Sequence, residues 1–217
     1  MMGYGIRLKV WGRYACFTRP EMKVERVSYD VMTPSAARAI LEAVHWKPAI
    51  RWVIDRINVI NPIVFESIVR NEVDTKIGNA EVKKAMSGKE CRIGIHTMDH
   101  IVQRKSLVLK DVCYVIDAHF VMTCKAGPGD TEEKHYNMFL RRAKNGQCYY
   151  QPYLGCREFT AHFEPVEEDV QSLVRGEADL GFMLWDIDFS NGNEALFYRP
   201  IMRDGIIEVP DLIGGVR

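Results

Sequence analysis

The sequence predicts an α+β protein: a ferredoxin-like βαββαβ core of the RNA-recognition-motif type, with a basic insertion and a C-terminal antiparallel β extension. Two observations carry this prediction. Period-two runs rich in β-branched residues alternate with two amphipathic helical segments, and each helical segment opens on a capping signature.

Ile6, Leu8 and Val10 alternate with Arg7, Lys9 and Trp11, so the first strand buries one face. Thr33-Pro34 is an N-cap followed by proline at the first helical position, and Ala37, Ile40, Leu41 and Val44 follow at helical spacing. That helix stops near His45 and Trp46, because Lys47 precedes Pro48 and is pushed towards extended backbone. The run IRWVIDRINV is a second strand, and IVFESIVRNEV, after Asn61-Pro62, is a third strand antiparallel to it. Residues 74–94 carry Lys76, Lys83, Lys84, Lys89 and Arg92 among glycines and polar side chains, an exposed insertion with a short helix whose bases can touch phosphate.

Residues 112–123, VCYVIDAHFVMT, form the next strand, and KAGPGD after them is a loop. Asp130 and Glu133 have capping-box spacing, and Tyr136, Phe139, Leu140 and Ala143 make one apolar stripe of a helix ending near Asn145-Gly146. REFTAHF, 157–163, is another strand. FMLWDIDF, EALFYRP and GIIEVP form a closing meander turned at Arg203-Asp204-Gly205. The division expected is a core domain over 1–163 and a β extension over 164–217.

Composition narrows the function classes. With 47% hydrophobic and 27% charged residues the chain is not disordered, and no apolar run approaches the roughly 20 residues that cross a bilayer. Interleaved Arg7 and Lys9 break up the N-terminal segment, unlike a secretory signal, so the expected place is the cytoplasm. Six cysteines without C-x-x-C spacing read as reduced core thiols. The zero net charge hides an asymmetry: residues 1–157 carry 25 Lys/Arg against 16 Asp/Glu, and residues 158–217 carry 4 against 13. Such a separation suggests a polyanion-binding face, or simply an unevenly charged solvated surface.

Lys134 and His135 fall in the first turn of the second main helix, where free N–H groups and the macrodipole favour an anion. A lysine there opposes the dipole at a cost of a few tenths of a kcal/mol unless an anion binds. The alternative is a solvated lysine beside a histidine in a surface groove. His45, at the other helix end, either bonds the last helical carbonyls or takes part in chemistry. Trp46 and Trp52 read as core rather than as stacking platforms, and His119 as a packed strand histidine. His96 and His100 have the spacing of two metal ligands, but no further ligand stands at a recognised spacing. No metal or cofactor is expected.

VWGRYACFTRPEMKVERVSYDVMTPSAARAILEAVHWKPAIRWVIDRINVINPI resembles the N-terminal half of the CRISPR-associated Cas family five, Dvulg subtype, of type I-C systems. The likeness continues through RNEV, SLVLKDVCYVIDAHF, EEKHYNMFLRRAKNGQC, YLGCREF and MRDGIIEVP, nearly the whole chain. The resemblance implies a protein that cuts the CRISPR precursor transcript at the base of each repeat hairpin. It then stays on the crRNA 5′ handle among the other surveillance-complex subunits. The family's Lys-His pair falls on Lys134 and His135, and His45 stands where the family pattern has tyrosine before Trp-Lys-Pro.

On these types the route is metal-independent attack of a ribose 2′-OH on the adjacent phosphorus, leaving a 2′,3′-cyclic phosphate and a 5′-OH. His135 is then general base or acid, Lys134 stabilises the transition-state charge, and His45 orients or protonates. Arg141, Arg142, Lys144 and Lys47 would hold the RNA backbone. The alternative is a non-catalytic scaffold on the crRNA handle, and duplex DNA is a further ligand class for the same basic face. The isolated chain is expected to be a monomer.

Overall fold

In the computed structural model, which describes residues 5–91, 93–189 and 192–212, the chain runs β1 (Ile6–Ala15), α1 (Pro34–Val44), β2 (Ile50–Val59), β3 (Phe65–Val73) and α2 (Asn79–Met86). It continues through β4 (Ile101–Met122), α3 (Glu132–Lys144), β5 (His162–Pro165), β6 (Glu177–Asp179), β7 (Met183–Asp188), β8 (Glu194–Tyr198), β9 (Ile201–Arg203) and β10 (Ile206–Glu208). Arg92 of the predicted basic insertion lies outside the described residues.

The main sheet has the order β5-β1-β4-β2-β10-β9-β6, with antiparallel neighbours throughout, and β7 pairs with β8 in a separate ribbon. Burial follows the alternation in the sequence, so Ile6, Leu8 and Val10 of β1 face the core with Ile54, Ile57, Tyr114 and Ile116, while Val115 packs on the other face with Ile60 and Cys113. Both helix starts obey their caps. Thr33 Oγ1 accepts from Ala36 N at 3.3 Å ahead of Pro34, and α1 ends at His45, whose N–H still bonds Leu41 O at 2.9 Å while its backbone turns extended.

Three strand readings need correction. β3 does not pair with β2; it runs antiparallel to the first half of β4, from Phe65 opposite Leu109 to Val73 opposite Ile101. The partner was hidden because β4 is 22 residues long, and its first half, IVQRKSLVLKD, mixes lysine and arginine into a ribbon that is largely solvated. Only the second half of β4 lies between β1 and β2 in the core. Residues 157–161 form no strand, and β5 begins at His162. The chain before it passes so close to β1 that a Cβ at Gly155, where φ is +84°, would sit 2.1 Å from Cys16 O, which leaves only glycine. Finally, the closing strands do not make one meander: β9 and β10, turned at Asp204 and Gly205 with φ of 50° and 82°, add to β2, apart from β7 and β8.

α1 and α3 pack together over the sheet. Trp52 of β2 is the hub: it is 2% exposed and meets Phe120 of β4 and Phe139 of α3 edge-on, at ring centroid distances of 5.2 and 5.1 Å. Its indole N–H donates to His45 O at 2.9 Å, which fixes the end of α1 to the sheet. Trp46, by contrast, is 54% exposed and not core; beside the extended His45 it points the opposite way from that buried side chain.

Replacing Trp52 by alanine empties the centre of this cluster and should lower stability by about 3–5 kcal/mol. Trp52→Phe keeps most of the volume and loses the bond to His45 O, a cost of about 1 kcal/mol. Urea midpoints of the two variants against the parent measure both.

Candidate active site

The end of α1 and the start of α3 meet at His45 and His135. Their rings are bonded directly, His45 Nε2 to His135 Nδ1 at 3.1 Å, with centroids 5.3 Å apart. Both side chains are shut away from solvent, at 0% and 1% exposure. His135 arrives by helical period: His135, Phe139 and Arg142 are spaced i, i+4 and i+7, and so lie on the face of α3 turned to the core.

Arg142 settles the proton arrangement. One of its guanidinium nitrogens donates to Val44 O at 2.8 Å and stands 3.4 Å from His45 Nδ1. A guanidinium cannot accept, so His45 Nδ1 is the acceptor, its Nε2–H donates to His135 Nδ1, and the remaining proton of His135 sits on Nε2. That Nε2 lies 3.4 Å from Asp130 Oδ1, close enough for charge attraction but without hydrogen-bond geometry, so it remains a buried polar atom lacking a hydrogen bond. The result is a line of groups, Arg142, His45, His135 and Asp130.

Burial dominates the electrostatics. His45 is pushed down to about 4, first by desolvation, then by the positive charge of Arg142, the neighbouring His135 and Lys47. Burial lowers His135 as well; Asp130 pulls it back up, while Lys134 and Lys47 press it down. At neutral pH both rings are uncharged.

Lys134 differs from expectation in its partner. The N-cap of α3 is Thr131, whose Oγ1 accepts from Lys134 N at 3.2 Å, and not Asp130. Asp130 is thereby free to take Lys134 Nζ on Oδ1 at 3.1 Å, with Gly129 O at 2.9 Å, and the anion that this helix end calls for is supplied by the chain itself. Glu132 and Glu133 in the first turn also offset the lysine. Hydrogen bonds from Gly127 N–H and Lys134 hold Asp130 below the usual carboxylate range. In the sequence Asp130 reads only as a cap; its position one residue before a threonine that can cap instead is the available signal.

The predicted basic face of α3 is divided. Arg141 is exposed, Arg142 is turned inward to Val44 and His45, and Lys144 pairs with Glu167 at 3.0 Å. Lys47 is exposed beside the histidine pair. The charge asymmetry is also largely an internal matter, since C-terminal acids neutralise upstream bases: Asp169 meets Arg7, Glu164 meets Lys9, Glu158 meets Arg26 and Arg70, and Asp186 meets Arg38. The other four histidines stand elsewhere: His96 is paired with Asp99, His100 with Asp74 and His119, half-buried rather than packed, with Asp55, while His162 stacks on Trp11.

The chain as a whole has known relatives. Residues 5–210 match the family described as Cas_Cas5d, CRISPR-associated protein (Cas_Cas5). The chain is 54% identical over 217 residues, 96% of each partner, to the CRISPR pre-crRNA endoribonuclease Cas5d of Mannheimia succiniciproducens. In fold it is similar to the crystal structure of a CRISPR-associated protein, with a TM-score of 0.72 at 21% identity over 100% of this chain and 98% of that one. It is also similar to a chain of a CRISPR RNA-guided surveillance complex, with a TM-score of 0.51 at 14% identity over 96% and 92%.

The buried pair couples folding to pH. A histidine held below its unfolded value stabilises the fold fully above roughly pH 6.5, and that contribution is lost as pH falls from there through about 4. Between pH 8 and pH 5 His45 alone should remove about 2 kcal/mol. Urea titrations at the two pH values should show this loss in the parent and a clearly smaller one in His45→Gln.

Proposed function

The chain belongs to the Cas5d family, and we propose that it is a metal-independent endoribonuclease that cuts CRISPR precursor RNA at the base of the repeat hairpin. It remains on the crRNA 5′ handle beside the other type I-C surveillance-complex subunits. The observation that carries the chemistry is the ring-to-ring bond between His45 and His135, flanked by Lys134. The name of the Mannheimia relative, a pre-crRNA endoribonuclease, supports the same substrate class here. The order β5-β1-β4-β2 with α1 and α3 supports reading the core as ferredoxin-like, with the second half of β4 as its third strand.

His135 acts at Nε2, the buried ring nitrogen left without a hydrogen bond. Cleavage forms a bond from the ribose 2′-oxygen to phosphorus and breaks the bond from phosphorus to the 5′-oxygen, which leaves as a hydroxyl on the proton that His135 takes from the 2′-OH and returns. To take the 2′-OH proton His135 must carry its own proton on Nδ1, with His45 Nε2 as acceptor. Arg142 favours the opposite tautomer at rest. An RNA phosphate that draws the Arg142 guanidinium away from His45 removes that preference, because it takes the donor off Nδ1. The substrate thereby prepares its own base. Lys134, 47% exposed at its side chain, exchanges Gly129 and Asp130 for the phosphate and stabilises the charge that builds on it. Lys47 and Arg141 are the exposed cations placed to hold the backbone, and DNA lacks the nucleophile.

A second reading, a non-cleaving scaffold on the crRNA handle, is favoured by one observation. Both histidine side chains are buried, so substrate reaches Nε2 only if the groups around it, Asp130 among them, move aside.

In excess EDTA the protein should cleave its own repeat RNA and spare the same RNA with a 2′-deoxy nucleotide at the cut. His135→Ala should lose about 10²- to 10⁴-fold in rate with affinity for the uncleavable RNA retained. Tight binding with no cleavage by the parent would leave the scaffold reading. Asp130→Asn removes the charge that raises His135, so the acid limb of the pH–rate profile should move to lower pH while His135→Ala has no such limb.

A further inference from the structure

Beside the histidine pair lies an open cleft of ≈ 420 Å³ walled by Trp46, Lys47, Pro48, Arg142, Tyr149 and Tyr150. Its aromatic rings face solvent: Trp46 is 54% exposed, Tyr149 84% and Tyr150 44%. Three large rings gathered at one opening are not explained by packing.

The backbone beneath them is fixed on both walls. Tyr149 N–H donates to Ala43 O of α1 at 2.8 Å, and Trp52 holds the carbonyl of His45 just before Trp46. The two tyrosine rings stand edge to face, 6.1 Å apart. Glu42, the acid nearest this cleft, is already paired with Arg38 at 2.8 Å, so Lys47 and Arg142 set the sign of its mouth.

We infer that this cleft takes one unpaired nucleobase of the RNA, stacked on Trp46 with Tyr149 and Tyr150 closing around it, next to the phosphate presented to His135. The inference rests on the reading of the chain as an RNA-binding member of its family. A flat, neutral ring carried on an anionic chain matches aromatic walls with cations at the rim. A base inside a duplex is already stacked and cannot enter, so the occupant flanks the hairpin stem. Arg142 lines the cleft and also faces His45 Nδ1, so a nucleotide seated here sits at the group that sets the histidine tautomers. Stacking is tolerant of base identity. The cleft therefore positions the strand without reading its sequence.

The test uses the full chain and its repeat RNA made uncleavable by a 2′-deoxy nucleotide at the cut, with 2-aminopurine placed singly at each unpaired position beside the stem. One position should be strongly quenched on binding. That quench should vanish in Trp46→Ala and persist in Trp46→Phe, which also shows that the fold survives. An abasic nucleotide at that position should weaken binding to the parent about tenfold and leave Trp46→Ala no weaker than before.

An unchanged quench in Trp46→Ala and in the Tyr149→Ala/Tyr150→Ala pair, or no quenched position in bound RNA, overturns the inference. If the natural RNA is still cut in that case, the enzyme reading survives alone. A Trp46-dependent quench with no cutting of natural RNA keeps the inference and removes the nuclease. Failure of the parent to bind this RNA overturns both.

Discussion

Two uncharged imidazoles sharing one hydrogen bond in a sealed space are the constraint on which the rest of this protein turns. A buried histidine is costly to ionise, and here the cost is raised by Arg142 and Lys47 on the His45 side. The pair is stable only while each ring finds a complementary partner. The arginine supplies a donor to His45, His45 supplies a donor to His135, and Asp130 supplies charge to what remains. Each group therefore limits the protonation of the next, and that is the property an acid–base site needs.

The fold exists at this point to bring two helix ends together. α1 ends because Pro48 forbids its continuation, and α3 begins because Thr131 caps it. Trp52 joins both to the sheet by packing against Phe139 and bonding the His45 carbonyl. Arg142, two helical turns along α3 from His135, reaches the Val44 carbonyl at the end of α1, where a cation also complements the helix dipole. The acidic C-terminal strands then satisfy bases of the upstream sheet, so the charges left at the surface near the site, such as Lys47 and Arg141, belong to a small area rather than a whole face.

Local chemistry made much of this legible in the sequence. Thr33-Pro34, the stripe from Tyr136 to Ala143 and the alternation in β1 and β2 each depend on neighbours a few residues away, and all fall where expected. Lys134, His135 and His45 could be singled out by type and by position at helix ends. That His45 and His135 touch could not, because 90 residues separate them and only the packing of α3 on α1 closes that distance. The pairing of β3 is illegible for the same reason: its partner is distant, and the ribbon it forms with β4 buries too little to leave an apolar pattern. Arg142 reads in the sequence as a surface base because helix charge usually faces water; it is held inside by a carbonyl and an imidazole.

The central claim is the neutral, Arg142-directed histidine pair, and nitrogen-15 NMR of the imidazole rings tests it most directly. With ¹⁵N-histidine protein titrated from pH 8 downwards, the account predicts that His45 keeps a protonated Nε2 and an unprotonated Nδ1 well below the ordinary histidine range, with a coupling across the bond to His135. An independent titration of both rings near pH 6.5, with tautomers unaffected by Arg142→Met, would contradict it.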